Sequence, residues 1–175
     1  HTFYIGTTGG GKSVAIRVAI NSILLSDPDC RFYVFDGKGG RDYALLQKNA
    51  RVNVIPFTLD ESTKEQDKLT AAIKAMDSEL DLRMKKSASA ISQGKQVSHS
   101  PIVIVYDETA ELMKDERLTT LMSKHSRLGR SESMYGIFAT QKPRMSGKVG
   151  EIGIPSQANA NIKTKNYTAA ARKKI

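Results

Sequence analysis

The chain has one cysteine, no tryptophan and three histidines in 175 residues. A single thiol excludes an internal disulfide and suits a reducing compartment, where Cys30 reads as a packing residue. His1, His99 and His125 have no metal-ligand spacing to one another or to Cys30, so zinc chemistry has no support. No Ser-His-Asp arrangement is legible, which leaves nucleophilic catalysis equally unsupported. Long hydrophobic runs are missing too. The most apolar stretch, Val14 to Leu25, carries Arg17 and Asn21 and is too short to cross a bilayer. There is no visible signal peptide and no internal repeat. The chain opens on His1 with a strand beginning at once. We therefore expect a trimmed piece of a longer protein, with 1–175 forming a single domain and any membrane anchor lying outside it.

The first thirteen residues carry the strongest signal. Thr2 to Ile5 is β-branched and aromatic, so it reads as a buried strand. Gly6, Gly11, Lys12 and Ser13 fit the Walker A spacing G-x-x-x-x-G-K-[ST], and Val14 to Leu25 follows as a helix. Strand, glycine loop and helix are the context this motif needs. The run Gly9, Gly10, Gly11 lets backbone N–H groups converge on a phosphate, and the helix N-terminus adds partial positive charge. Residues Thr8 to Val14 are the expected nucleotide-binding segment. Lys12 is expected to reach the β- and γ-phosphates and the Ser13 hydroxyl to ligate Mg²⁺.

Further along, Arg31 to Phe35 reads as a strand ending on Asp36-Gly37-Lys38-Gly39-Gly40. Open α/β sheets bind ligands at such strand ends, although an ordinary βα turn accounts for the stretch equally well. Arg41 to Lys48 reads as a short helix and Val52 to Ile55 as a strand stopped by Pro56. Ser62 and Glu65 form a capping box, and Leu69, Ile73, Met76, Leu80 and Met84 make one apolar stripe on a long helix. Lys85 to Ser100 turns polar and reads as a fraying end and a loop. Ile102 to Tyr106 is apolar throughout, as a central parallel strand should be. It ends on Asp107-Glu108, a Walker B signature: Asp107 would hold Mg²⁺ opposite Ser13, and Glu108 would orient the attacking water. Glu111 to Ser126 reads as largely helical, with Leu118, Leu121 and Met122 on its buried side. Gly136 to Ala139 is another strand, with Thr140-Gln141 at its end. Pro143 to Pro155 is a loop, Ala160 to Lys165 a possible last strand, and Arg172 to Lys174 a basic tail. Lys and Arg number 27 against 18 Asp and Glu, a net charge of +9. Such an excess favours a polyanionic partner, though many basic surfaces are simply solvated.

Several of these stretches together resemble one family. Gly6-Thr-Thr-Gly-Gly-Gly-Lys-Ser-Val14, Ile102-Val-Ile-Val-Tyr-Asp-Glu-Thr-Ala-Glu-Leu-Met113, Gly136-Ile-Phe-Ala-Thr-Gln-Lys-Pro143 and Ile154-Pro-Ser-Gln-Ala-Asn-Ala-Asn161 follow one another as in the motor domain of the FtsK/SpoIIIE DNA translocases, in the HerA–FtsK group of RecA-like ATPases. Thr140-Gln141-Lys142-Pro143 matches the family's Thr-Gln-Arg-Pro, and Asp36-Gly37-Lys38 its Asp-Pro-Lys. Lys142, Gly37 and Thr109 depart from the family's Arg, Pro and Phe. The resemblance implies a RecA-like α/β fold, with a mainly parallel sheet flanked by helices. It also implies ATP and Mg²⁺ as cofactors, a ring of identical subunits (a hexamer) with ATP between neighbours, and double-stranded DNA as the cargo. In that setting Gln141 senses the γ-phosphate, and Arg127 or Arg130 enters the neighbour's site as an arginine finger. Localisation would be cytoplasmic, at the inner face of the membrane if an anchor precedes. Type VII protein-secretion ATPases, conjugation translocases and viral genome-packaging ATPases are related alternatives.

Overall fold

The computed structural model describes residues 1–6, 9–59 and 64–141, together with the backbone of 161–163. Among these residues six parallel strands form one sheet in the order β3-β2-β4-β5-β1-β6. They are β1 (Thr2–Ile5), β2 (Arg31–Asp36), β3 (Val52–Pro56), β4 (Ile102–Asp107), β5 (Met134–Thr140) and β6 (Asn161–Lys163). The expected parallel α/β architecture is therefore present. All six residues of β4 are buried, as its unbroken apolar run demands. Its side chains alternate between two cores. Ile102, Ile104 and Tyr106 join one, and Val103 and Val105 the other.

The first core is roofed by α2 (Lys64–Ser92) and α4 (Glu116–Leu128). Leu69, Ile73, Met76 and Leu80 of α2 pack there with Leu118, Leu121 and Met122 of α4, and Met84 is partly buried against them. The second core is roofed by α1 (Lys12–Ser26), through Ile16, Ile20 and Leu24. Each such side chain fully removed from water stabilises the fold by about 1.5–3 kcal/mol.

Two expectations need correction. Helix α2 does not fray at Lys85 but runs on to Ser92. The Ser87 hydroxyl donates to Glu132 Oε2 at 2.6 Å, anchoring the polar end to the turn before β5. The helix stops at Gly94, whose φ of 67° lets the Lys95 N–H close on the Ala90 carbonyl at 2.9 Å. Arg41 to Lys48 is not a helix but two 3₁₀ turns, Arg41–Tyr43 and Leu46–Lys48. Glu111 to Ser126 is largely helical, as expected, but in two pieces. A single turn, α3 (Thr109–Leu112), is followed by a break, and Asp115 restarts the chain as the N-cap of α4, accepting from the N–H groups of Arg117 (2.8 Å) and Leu118 (3.4 Å). Ser62 of the capping box, the Pro143–Pro155 loop, the ends of the last strand and the basic tail lie outside the described residues.

Candidate nucleotide site

Every described strand runs the same way, so the ends of β1, β2, β4 and β5 gather at one edge. Gly6 N–H donates to the Thr140 carbonyl at 3.3 Å, and Gly37 N–H to the Asp107 carbonyl at 3.0 Å. These bonds join β1 to β5 and β2 to β4 beyond the regular ladder. The glycine loop leaves β1 here. Gly9 and Gly11 take φ of 75° and 78°, and Gly11 is the residue from which α1 starts. A side chain at either position would meet nothing within 4 Å, so glycine is needed there for backbone conformation and not for packing. Gly10 lies between them; Thr8 is outside the described residues, and Val14 is half exposed on α1.

Lys12 is almost wholly buried and its ammonium donates to the Gly6 carbonyl across the loop. Burial lowers its pKa, the nearby Lys38 charge lowers it further, and Glu108 and Asp107 act the other way. Ser13 Oγ lies 3.3 Å from Asp107 Oδ2, so the two expected metal ligands do meet. A hydroxyl and a carboxylate, both hard oxygen donors, are the set that suits Mg²⁺.

Asp107 is fully buried and its carboxylate is held on both oxygens. Oδ1 accepts the Glu108 N–H at 2.9 Å, and Oδ2 accepts the Tyr43 hydroxyl at 2.7 Å. Burial and the Asp107 charge push the Tyr43 pKa upward, which keeps the phenol a donor. Asp42 Oδ2 also accepts from Ser13 Oγ, at 2.8 Å. Asp42 and Tyr43 reach these positions through the 3₁₀ turn Arg41–Tyr43. Their only sequence signal was their place just after the Asp36–Gly40 stretch.

That stretch is built on Asp36, which is fully buried. Its Oδ1 accepts the Lys38 N–H at 2.8 Å and its Oδ2 the Gly40 N–H at 2.9 Å. Burial raises the Asp36 pKa, and these two bonds work against the rise. Gly37 is hemmed in: a Cβ there would lie 3.0 Å from Glu108 Cβ and 3.1 Å from the carbonyls of Asp107 and Glu108.

Glu108 itself stands in the left-handed region, with φ of 56° and ψ of 58°. A non-glycine residue in this region is strained, and such strain concentrates at functional sites. The turn aims Glu108 toward β5, where Gln141 Nε2 donates to its Oε2 at 2.6 Å. Thr109 helps to set this up, because its hydroxyl donates to the Ala139 carbonyl at 2.8 Å and ties α3 to the end of β5. Lys38 Nζ lies 3.9 Å from the same Glu108 oxygen.

Arg127 and Arg130 are brought nowhere near this cluster. They lie in the last turn of α4 and in the 3₁₀ turn Gly129–Glu132, which lead into the start of β5. Both are exposed. The seven residues of β5 separate them from Thr140, roughly 20 Å of extended chain. Lys142 and Pro143 lie outside the described residues.

Compared with known proteins, the chain matches no family model. It is 29% identical over 175 residues to the DNA translocase FtsK of Clostridium tetani, covering 90% of this chain and 23% of that protein. Among solved structures, the conjugation coupling protein TcpA of pCW3, determined with ATPγS, superposes with a TM-score of 0.66 at 26% identity, covering 87% of this chain and 45% of that one. The type VII secretion ATPase EccC of Thermomonospora curvata superposes with a TM-score of 0.66 at 23% identity, covering 87% and 19%. The chain spans less than a quarter of the length of the FtsK relative. With its glycine loop, its Asp107–Glu108 turn and Gln141 brought to one edge of a parallel sheet, the chain has the P-loop ATPase fold and resembles the FtsK/SpoIIIE DNA translocases over nine tenths of its length.

Proposed function

We propose that this chain is the motor domain of an ATP-driven translocase of double-stranded DNA, acting in a ring of identical subunits, a hexamer by family resemblance. The observation that carries the ATPase reading is the Glu108–Gln141 contact of 2.6 Å on the strand-end edge that also holds Lys12 and the Ser13–Asp107 pair. Residues Thr8 to Val14 hold the nucleotide, with Lys12 on its β- and γ-phosphates. Ser13 and Asp107 are the ligands for Mg²⁺, which when bound neutralises phosphate charge. Glu108 accepts a proton from the attacking water, and Gln141 fixes the Glu108 carboxylate while sensing the γ-phosphate. Arg127 or Arg130 stands far from its own chain's phosphate loop, so as an arginine finger either one serves a neighbour's site. The site therefore sits inside the cell, where ATP is, and any membrane attachment belongs to other segments. Among the described residues no helix is long and apolar enough to cross a membrane.

Similarity to FtsK supports DNA as the cargo. Charge supports it independently. Residues 142–175 hold eight of the 27 Lys and Arg but only one of the 18 Asp and Glu, so this fifth of the chain carries +7 of the net +9. Phosphate contacts made by such a segment position DNA without reading its sequence. In proven rings, duplex DNA should accelerate ATP turnover whatever its sequence, and heparin should not substitute fully. DNA affinity should fall with salt at a log–log slope of about −0.9 per phosphate neutralised. Rings that hydrolyse ATP but ignore DNA would overturn the cargo and favour a protein-secretion ATPase, the reading that the EccC fold keeps in view.

A further inference from the structure

Lys38 has no place in the roles above, yet its surroundings are built with care. Asp36 is a fully buried carboxylate in a turn, and burying it is costly unless its hydrogen bonds are made. Both its oxygens are spent on the N–H groups of Lys38 and Gly40. Gly39 and Gly40 follow with φ of 84° and 83°, so the chain doubles back at once. Behind the turn, Gly37 leaves room for the Glu108 backbone, which a Cβ would crowd at 3.0–3.1 Å. The turn therefore presents Lys38 at a set place beside Glu108.

Its ammonium stands 3.9 Å from Glu108 Oε2, the oxygen that also takes the Gln141 amide at 2.6 Å. The Lys38 side chain is 34% exposed, whereas that of Glu108 is 8% exposed. Lys38 thus lies on the open side of the carboxylate. It is also close enough to Lys12 for the two like charges to oppose each other. Two ammonium groups near one another are unfavourable by themselves and become favourable around a polyanion. At 3.9 Å the pair with Glu108 is at the long limit for an ion pair, so it offers little resistance to exchange for a phosphate oxygen.

We propose that Lys38 is a second lysine of the phosphate site: it contacts the terminal phosphate of a nucleoside triphosphate, and returns to Glu108 when only a diphosphate is held. This rests on the nucleotide-binding reading above and adds a residue that tells triphosphate from diphosphate in the same chain, with no neighbour required. The test is the affinity of the whole chain for ATPγS and for ADP, each with Mg²⁺, by calorimetry. Lys38→Met should weaken ATPγS binding about tenfold, the scale of one charge-assisted contact, and leave ADP binding within about twofold. Lys38→Arg should restore most of the preference. Equal weakening of both nucleotides, or no change in either, would overturn the assignment. If the parent chain binds neither nucleotide, the nucleotide-site reading itself fails and this inference falls with it.

Discussion

At the edge where the strands begin, Arg83 donates to Glu79 at 2.8 Å and to the Glu132 carbonyl at 2.8 Å, and Ser87 donates to the buried Glu132 carboxylate at 2.6 Å. At the edge where they end, buried Asp36 and Asp107 hold turns, a phenol and a hydroxyl beside an open glycine loop. Among the described residues each edge has one non-glycine residue in the left-handed region, Ser133 at 58° and Glu108 at 56°. Ser133 uses that conformation to close a turn into β5, its carbonyl accepting from the Ile102 N–H at 3.0 Å. Glu108 uses it to present a carboxylate. The glycines differ in the same sense. Gly129 has ordinary helical φ, but a Cβ there would lie 2.3 Å from the His125 ring. Gly9, Gly11 and Gly39 need positive φ, and a Cβ on them would touch nothing within 4 Å. Buried charge, strain and glycine therefore mark a functional site only when they face open space.

The largest expected effect separates chemistry from stability. Glu108→Gln should cut ATP turnover by about 10²–10⁴ while nucleotide binding and the melting temperature stay near parental values. Lys12→Ala should lose binding itself. Parental turnover in Glu108→Gln would remove Glu108 as the base.

The other edge should answer to pH instead. His125 is fully buried, its Nδ1 facing the Tyr106 hydroxyl at 3.2 Å, and burial lowers its pKa from 6.5 to about 4. The fold accommodates the neutral ring, so the unfolded chain binds the extra proton first. That stability is present above pH ~6.5 and is lost as pH falls toward ~4, amounting to about 3 kcal/mol over the window. Urea midpoints at pH 7, 5.5 and 4.5, compared between the parent and His125→Gln, read it. Parallel pH curves would show that His125 is not the group responsible.

The smallest effect is a paired one. Gly129→Ala should cost about 1–3 kcal/mol of stability through overpacking, and spare turnover in the molecules that remain folded. Gly37→Ala, pressing on Glu108 at 3.0 Å, should cost under about 1 kcal/mol of stability but lower turnover about tenfold, because a small displacement of the base is felt in the barrier. If both variants lose stability alike, the two edges do not differ in the way described.

Much of the fold was legible because its signals are local and periodic. The apolar run Ile102–Tyr106 marked the central strand, the Leu69–Leu80 stripe marked the buried face of α2, and the glycine loop marked the start of α1. The misreadings fall where a distant partner decides. Ser87 holds the end of α2 through Glu132, 45 residues away in the chain, and nothing in Lys85–Ser100 announces it. Of the candidate site, Lys12, Ser13, Asp107 and Glu108 were legible as candidates from motif and strand end, and Gln141 from the family resemblance. Asp42 and Tyr43 were missed because a 3₁₀ turn has no periodic apolar pattern to betray which way its side chains face.

By itself, then, the order of residues determined that a glycine loop leads into a helix and which acidic pair follows the central strand. Glycine torsions and apolar periodicity are properties of short segments, so a short segment suffices to read them. Tertiary structure alone decided that Gln141 and Lys38 meet on one oxygen of Glu108, that Asp42 and Tyr43 close on Ser13 and Asp107, and that Arg127 and Arg130 stand at the far edge. The physical reason is the parallel sheet. Its hydrogen-bonded register gathers strand ends from across the chain into one plane, and it places every residue that precedes a strand on the opposite side.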